Sequence, residues 1–220
     1  YFDHRGLLVK TEDALGNPVR LGFDDYYNLV ALTDPAGRAY YYTYDTRGNL
    51  TRSIDALGNA TRFTYTGSFN RLAMVTDANS NVTDYAYDAK GNLQSITYAN
   101  GSRETWGFDS LGNPTSWTNR RGRTIAYSYD TAGRITSKTY ADGTHVDYAY
   151  DGRGNLVQAV DSTGTTTLEY DTKDRLTKIT YPGSRWLQFS YDAGGRRASS
   201  LDQLGHRLDY SYNAVGRLQS

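Results

Sequence analysis

The sequence predicts an all-β fold, an antiparallel β-sheet ribbon of about ten 21-residue units. Aromatic residues recur at spacings of 20 to 22 residues along the chain, and a fixed period of this length indicates a repeat protein. Apolar and polar residues alternate over the five residues that end at most of these positions, as in a strand with one apolar face. The recurring aromatic residues, called anchors below, are Phe2, Phe23, Tyr44, Tyr65, Tyr87, Phe108, Tyr129, Tyr150, Tyr170, Tyr191 and Tyr212.

Each unit is predicted to contain two short strands and two glycine turns. The pattern is clearest over residues 148–156, where the anchor Tyr150 ends a strand and Asp151 begins a turn. An Asp side chain can bind the backbone two residues on, and Gly154 supplies the positive φ that closes such a turn. Leu156 then opens the second strand, and a second turn follows at 161–164. Because the turns are short, neighbouring strands must pair antiparallel.

Irregular units mark where this register changes. Residues 65–72 contain one extra residue, which predicts a longer loop or a bulge, whereas the unit 150–170 is one residue shorter. The segment 23–29 lacks the turn glycine, and we expect Asn28 to take the left-handed conformation in its place. Pro114 interrupts the leucine position of its unit.

Composition limits the classes of function. Lys plus Arg and Asp plus Glu both number 24, so the net charge is zero and no chain-wide field attracts nucleic acid. The chain has no cysteine, which excludes disulfides and Cys-based metal sites without fixing a compartment. No apolar run approaches the ~18 residues of a membrane span, and no signal peptide is visible. We expect residues 1–220 to be a single array, without an internal boundary, from a longer array.

No pattern of catalytic, cofactor-binding or metal-binding residues is recognised. The histidines His4, His145 and His206 lack the spacing of metal ligands, and neither a hydrolase elbow nor a phosphate-binding loop occurs. The aspartates after the anchors are expected to build turns, with a calcium-binding array as the alternative. Trp117 and Trp186 are possible ligand contacts, because exposed aromatic rings can stack on sugars or bases.

The repeated unit resembles the tyrosine-aspartate (YD) repeat of the Rhs family. That pattern is a Gly, several residues, then Tyr-Asp-x-x-Gly-Arg-Leu, and 143–156, 37–50 and 122–135 match it closely. Departures include Phe at three anchors, Asn213 for Asp and Asp174 for Gly. The motif residues expected to have structural roles are Tyr44, Asp45, Gly48, Leu50, Tyr87, Asp88, Gly91, Leu93, Tyr129, Asp130, Gly133, Tyr150, Asp151, Gly154, Leu156, Tyr170, Asp171, Tyr191 and Asp192.

The resemblance implies a sheet that spirals into part of a shell or barrel wall. In bacterial Rhs polymorphic toxins and Tc toxin C subunits such a shell encloses a C-terminal toxin domain, whereas in teneurins it serves adhesion. The function implied is a non-enzymatic wall segment that encapsulates and helps deliver a toxin in bacterial competition or virulence. Its implied partners are the toxin domain of the same polypeptide, further repeats, and secretion machinery or a surface glycan. The implied location is secreted or at the bacterial cell surface.

Two alternatives remain open at this stage. The aromatic stripes could form a carbohydrate-binding or cell-surface adhesion module on the repeat sheet. Aromatic- and glycine-rich repeats of about twenty residues also build choline-binding hairpin solenoids. Those solenoids place Trp-Tyr pairs beside Lys and Gly, however, whereas this chain repeats Tyr-Asp.

Overall fold

The computed structural model describes residues 1–219, which fold into two compact units. Unit 1 comprises Tyr1–Phe108 and Thr118–Gly122, and unit 2 comprises Asp109–Trp117 and Arg123–Ser220. Each unit consists of antiparallel β-strands, and the described residues contain no α-helix. The predicted all-β antiparallel fold class is therefore confirmed. That the whole chain is a single array without an internal boundary stays a prediction.

Consecutive strands pair with each other along each unit. The first ten strands belong to unit 1: β1 (Lys10–Glu12), β2 (Pro18–Phe23), β3 (Leu29–Thr33), β4 (Ala39–Tyr44), β5 (Leu50–Ile54), β6 (Ala60–Tyr65), β7 (Leu72–Thr76), β8 (Val82–Tyr87), β9 (Leu93–Thr97) and β10 (Arg103–Phe108). The next ten belong to unit 2 apart from Thr118: β11 (Pro114–Thr118), β12 (Thr124–Tyr129), β13 (Ile135–Thr139), β14 (His145–Tyr150), β15 (Leu156–Asp161), β16 (Gly164–Tyr170), β17 (Leu176–Thr180), β18 (Trp186–Tyr191), β19 (Arg197–Asp202) and β20 (Arg207–Asp209). A single 3₁₀ turn spans Pro182–Ser184 within the described part of the chain.

The anchors define the ends of the strands. Every even-numbered strand from β2 to β18 ends at an anchor, and the strand after the turn begins at the leucine position of the motif. Pro114 takes that position in β11 and still opens a strand. It does so because proline, which lacks an N–H, is tolerated at the first residue of a strand.

A β-bulge accompanies eight of the anchor turns in the described part of the chain. Tyr44 pairs with Leu50, but the preceding Thr43 pairs with Arg52, so Thr51 has no counterpart on β4. The same one-residue shift occurs at seven further anchor turns. A bulge bends the strand and increases its local twist. The sequence pattern did not predict this recurring bulge.

The two faces of the sheet differ in chemistry. The anchors and the residues two and four positions earlier share one face, named here the tyrosine face. Side chains between them, such as Thr43 and its cross-strand partner Arg52, share the opposite face. No hydrophobic side chain among residues 1–219 is fully buried, and the buried polar ones are Ser95 and Ser199. Neither unit has a dry core, so its aromatic rings remain half-exposed.

The irregular units show where positive φ is needed. In the turn after Phe23 the residue with positive φ is Tyr27, at 68°, and not Asn28 as expected. The requirement falls on the third residue after the turn Asp, whatever residue stands there, because Tyr27 donates its N–H to the Asp24 carbonyl. Asp174 has φ of 59° at the same position of its own turn.

The two repeats of irregular length, at residues 65–72 and 150–170, differ from the others in their turns. Residues 65–72 form a longer loop, closed by the N–H of Thr66 on the Arg71 carbonyl at 2.7 Å. In the short unit Asp161 pairs directly with Gly164, so two residues make the second turn. The missing residue is thus lost from the second turn and not from the anchor turn.

A matched pair of glycines tests the turn geometry. Gly154 has φ of 95°, whereas Gly152 of the same turn has no positive φ and open space around its Cα. We expect Gly154→Ala to lower the free energy of unfolding by about 1 to 2 kcal/mol, the cost of a left-handed alanine. Gly152→Ala should be neutral or slightly stabilising. Urea denaturation of both variants measures the difference, and equal midpoints would contradict the turn assignment.

Candidate functional site

The repeated feature of the structure is the anchor turn, in which one carboxylate holds the chain closed. Asp151 Oδ1 accepts the backbone N–H groups of Arg153 and Asn155, both at 2.9 Å, and its Oδ2 accepts the Asn155 side-chain amide at 3.0 Å. The N–H of Asp151 also donates to the Asn155 carbonyl at 2.9 Å. The carboxylate is thus engaged within its own turn, and the side-chain bond from Asn155 leads the causes that lower its pKa.

The same turn recurs along both units. In each case the aspartate carboxylate accepts the backbone N–H of the residue four positions on. The further aspartates that make this bond after an anchor are Asp3, Asp24, Asp45, Asp88, Asp109, Asp130, Asp171 and Asp192. The structure places the predicted motif residues together in this way: tyrosines end strands, aspartates begin turns, and leucines open the next strand. The motif glycines Gly48, Gly91, Gly133 and Gly154 all have positive φ.

The exchange of Asn and Arg after the turn glycine has a physical reason. In one kind of turn Asn155 Nδ2 donates to Asp151 Oδ2, and in the other Arg134 Nε donates to Asp130 Oδ2 at 2.7 Å. Either side chain supplies one donor to the same acceptor atom. The hydrogen bond from Arg175 contributes most to holding the pKa of Asp171 at about 2.

Arginine after the turn glycine adds a contact to the following 21-residue repeat. The Arg134 guanidinium carbon lies 4.7 Å from the ring centroid of Tyr150, the next anchor. Arg175 stands over Tyr191 at 4.7 Å in the same manner. Such cation–π contacts contribute about 0.5–1 kcal/mol at exposed sites. Arginine turns therefore hold their own loop and the neighbouring anchor together.

The hydroxyl of most anchor tyrosines links one 21-residue repeat to the repeat before it. The hydroxyl of Tyr150 donates to the carbonyl of Ile135 at 2.9 Å, 15 residues earlier, where the preceding turn ends. Seven anchor tyrosines make this bond, and their acceptors are the carbonyls of Leu29, Leu50, Leu72, Pro114, Ile135, Leu176 and Arg197. The bond explains why most anchors are Tyr and not Phe. The sequence pattern did not reveal it, because the acceptor lies in the backbone.

Tyr170 is an instructive exception. It ends the short unit, so the carbonyl that it would reach is shifted by one residue. Its hydroxyl makes no hydrogen bond within residues 1–219, although burial raises its pKa. Strict spacing is therefore a condition for the link.

The two tryptophans predicted as possible ligand contacts lie apart. Trp117 is in β11 and Trp186 in β18, and these strands do not pair. Trp186 lines a groove of about 340 Å³ with Tyr181, Arg185, Leu187, Asp202 and Gln203. The Gln203 side-chain oxygen accepts the Trp186 backbone N–H at 2.8 Å, and Lys178 Nζ lies 5.8 Å from the indole. A ligand role for either tryptophan stays a prediction.

The remaining polar groups are mostly engaged locally. His206 Nδ1 lies 2.9 Å from Asp202 Oδ2, and His145 Nε2 lies 3.5 Å from Asp147 Oδ2. Among residues 1–219 no group of three or more His, Asp or Glu side chains is arranged to hold a metal ion. The described part of the chain also has no helix with the length and apolarity to cross a membrane.

A family model for the RHS Repeat matches residues 2–39, 44–81, 68–103, 108–145, 129–166 and 150–185. Together these stretches cover well over half of the chain, so the chain belongs to the RHS repeat family. This confirms the resemblance drawn from the Tyr-Asp motif. No curated protein matches the chain.

Solved structures of Tc toxin proteins share the fold. The crystal structure of TcdB2-TccC3 matches 100% of this chain and 14% of its own, with a TM-score of 0.58 and 19% identity. The Photorhabdus luminescens Tc holotoxin pore with the TccC3 mutation D651A matches 98% of this chain and 14% of its own, with a TM-score of 0.57 and 18% identity. TcdB2-TccC3 without its hypervariable C-terminal region matches 98% of this chain and 16% of its own, with a TM-score of 0.55 and 16% identity. The chain thus spans only a small part of each neighbour.

The anchor hydroxyl link can be tested with one atom. Tyr150→Phe removes the donor to the Ile135 carbonyl, and we expect the free energy of unfolding to fall by about 1 kcal/mol. Tyr170→Phe is the matched control, since its hydroxyl has no hydrogen-bond partner among the described residues. Thermal or urea unfolding compares them. A loss at Tyr170 as large as that at Tyr150 would contradict the link.

The turn carboxylates predict sensitivity to acid. In the folded chain their pKa values lie below the usual 3.8. The hydrogen bond from the Asn155 side chain is the main cause at Asp151, and the hydrogen bond from Arg175 lowers the pKa of Asp171 to about 2. The unfolded chain therefore binds protons more readily, and stability is lost as the pH falls from about 4 towards 2. We expect urea midpoints to be steady from pH 7 to 5 and to drop below pH 4. Asp171→Asn should drop less steeply, and a midpoint unchanged down to pH 2 would refute the assignment.

Proposed function

We propose that this chain is a segment of the wall of an Rhs-type shell, which encapsulates a C-terminal toxin domain and helps to deliver it in bacterial competition or virulence. The proposal rests first on membership of the RHS repeat family. The fold shared with TcdB2-TccC3 over 100% of this chain supports it. Because the chain covers 14% of that neighbour, enclosure would require many further repeats.

The observation that carries the proposal is that the sheet over residues 1–219 is held together by hydrogen bonds between its strands and turns, and not by packing against a second layer. The described residues bury no hydrophobic side chain fully. Stability must therefore come from the hydrogen bonds between strands, from the closed turns and from the links between successive 21-residue repeats. Such an arrangement suits a wall with two accessible faces better than a globular enzyme with a buried site. A wall acts by steric exclusion, and it requires no catalytic residue of its own.

The partners and location follow from the same proposal. The toxin domain would belong to the same polypeptide, and further repeats would continue the sheet on either side of this segment. The protein would be secreted or held at the bacterial cell surface, in contact with secretion machinery or a surface glycan. The alternative function, a carbohydrate-binding or adhesion module, would use the groove at Trp186.

Limited proteolysis of the complete polypeptide tests enclosure. The toxin domain inside the shell should be cleaved far more slowly than the same domain alone, because the wall excludes the protease. Asp151→Ala removes the acceptor of three turn hydrogen bonds and should increase cleavage by loosening the wall. Gly152→Ala serves as the neutral control of the same turn. Equal cleavage of enclosed and free toxin domains would contradict the proposal.

A further inference from the structure

Two arginines face each other on the sheet surface opposite the tyrosine face. Arg52 of β5 and Arg62 of β6 are direct cross-strand partners in unit 1. Directly opposite side chains have Cβ atoms about 4.5–5.5 Å apart, and like charges in that arrangement are destabilising. A like-charge pair in the middle of two strands therefore needs a compensating anion.

No group among residues 1–219 supplies that anion. Neither guanidinium forms an ion pair or a side-chain hydrogen bond within the described residues. The Nε of Arg52 is moreover buried without a hydrogen-bond partner there. A buried donor left unpaired carries a desolvation penalty that a ligand oxygen would remove.

Several other basic side chains form ion pairs with acidic ones. Arg38, Arg134 and Arg175 each bind the aspartate of their own turn. Lys10 also faces an arginine across the strands, but its Nζ lies 2.6 Å from Glu12.

The surroundings of the pair favour an anion. Thr43 lies opposite Arg52 and Thr76 opposite Arg62, so hydroxyl-bearing residues flank both guanidiniums along one rung of the ladder. The acidic residue closest in register on this face is Asp84 of β8, which pairs with Met74 of β7. It stands two strands from Arg62, roughly 10 Å at the usual strand spacing. At that distance solvent and salt largely screen its charge.

We propose that Arg52 and Arg62 form a binding site for one oxyanion, a carboxylate or phosphate group. Guanidinium groups bind the oxygens of both through paired N–H donors in a fork of fixed geometry. The anion would sit between the two guanidiniums, satisfy the Arg52 Nε and neutralise the like-charge pair. The site lies on the opposite face of β5 and β6, away from the anchor rings and from the turn carboxylates. It is independent of the proposed wall function.

Titration of the 220-residue chain with inorganic phosphate tests the site. In low-salt buffer, isothermal calorimetry should show saturable phosphate binding, and the binding constant should fall about ten-fold or more in R52Q/R62Q. Arg62→Lys keeps the charge but loses the fork, so its affinity should be intermediate. A parallel titration with a short peptide carrying one glutamate separates the two sources of oxyanion. Tighter binding of the peptide identifies a polypeptide carboxylate, and tighter binding of phosphate identifies a free phosphate.

Arg47→Gln is the matched control. Arg47 lies in the exposed turn of the same repeat, so this change removes an equal charge outside the site. It should leave both titrations unchanged within about two-fold, whereas a non-specific charge effect would weaken them by about half as much, on a logarithmic scale, as R52Q/R62Q does with its two lost charges. Circular dichroism verifies that every variant retains its strand content. Absence of saturable binding to both probes, or equal binding by wild type and R52Q/R62Q, would overturn the proposal.

Discussion

The structure depends on a hydrogen bond that joins one repeat to the repeat before it. A sheet without a dry core cannot rely on packing between layers, so each unit must be fixed to its neighbour by other means. The anchor hydroxyl provides this by reaching a carbonyl 15 residues earlier, next to the end of the preceding turn. Repeat proteins owe much of their stability to such nearest-neighbour terms. The preference for tyrosine follows, since phenylalanine offers the same ring without the donor.

The turns contribute a second stabilising feature, because they reverse the chain and still leave their polar backbone groups hydrogen-bonded. One carboxylate satisfies the backbone N–H groups of its loop, and the residue after the glycine provides the last donor to it. Asn and Arg are equivalent for that task, but Arg also covers the next anchor ring. The chain thus contains two kinds of repeat with the same fold and different contacts to the next repeat, since Asn155 donates to Asp174 where Arg134 stands over Tyr150.

Much of the fold could be read from the period and the alternation of residues. The five-residue alternation before most anchors indicates a strand with one apolar face that ends at the anchor. The aspartates indicate turns, because their side chains can accept hydrogen bonds from nearby backbone N–H groups. The bulge at Thr51 and the Tyr150 link escaped sequence reasoning, because both depend on which backbone atoms meet across strands. Asn28 was the wrong choice for positive φ, since position in the turn outweighed residue preference and placed it at Tyr27. The pairing of Arg52 with Arg62 likewise required the register.

The direction of the hydroxyl link has a consequence for synthesis on the ribosome. Each of the seven linking tyrosines donates to a carbonyl that precedes it in the chain, so its partner has already been translated when the tyrosine emerges. A new repeat can therefore dock onto a finished one without waiting for residues still to come. Contacts of such short sequence separation also favour rapid folding. The growing sheet would be extended from its last completed edge, and the order of assembly would follow the order of the codons.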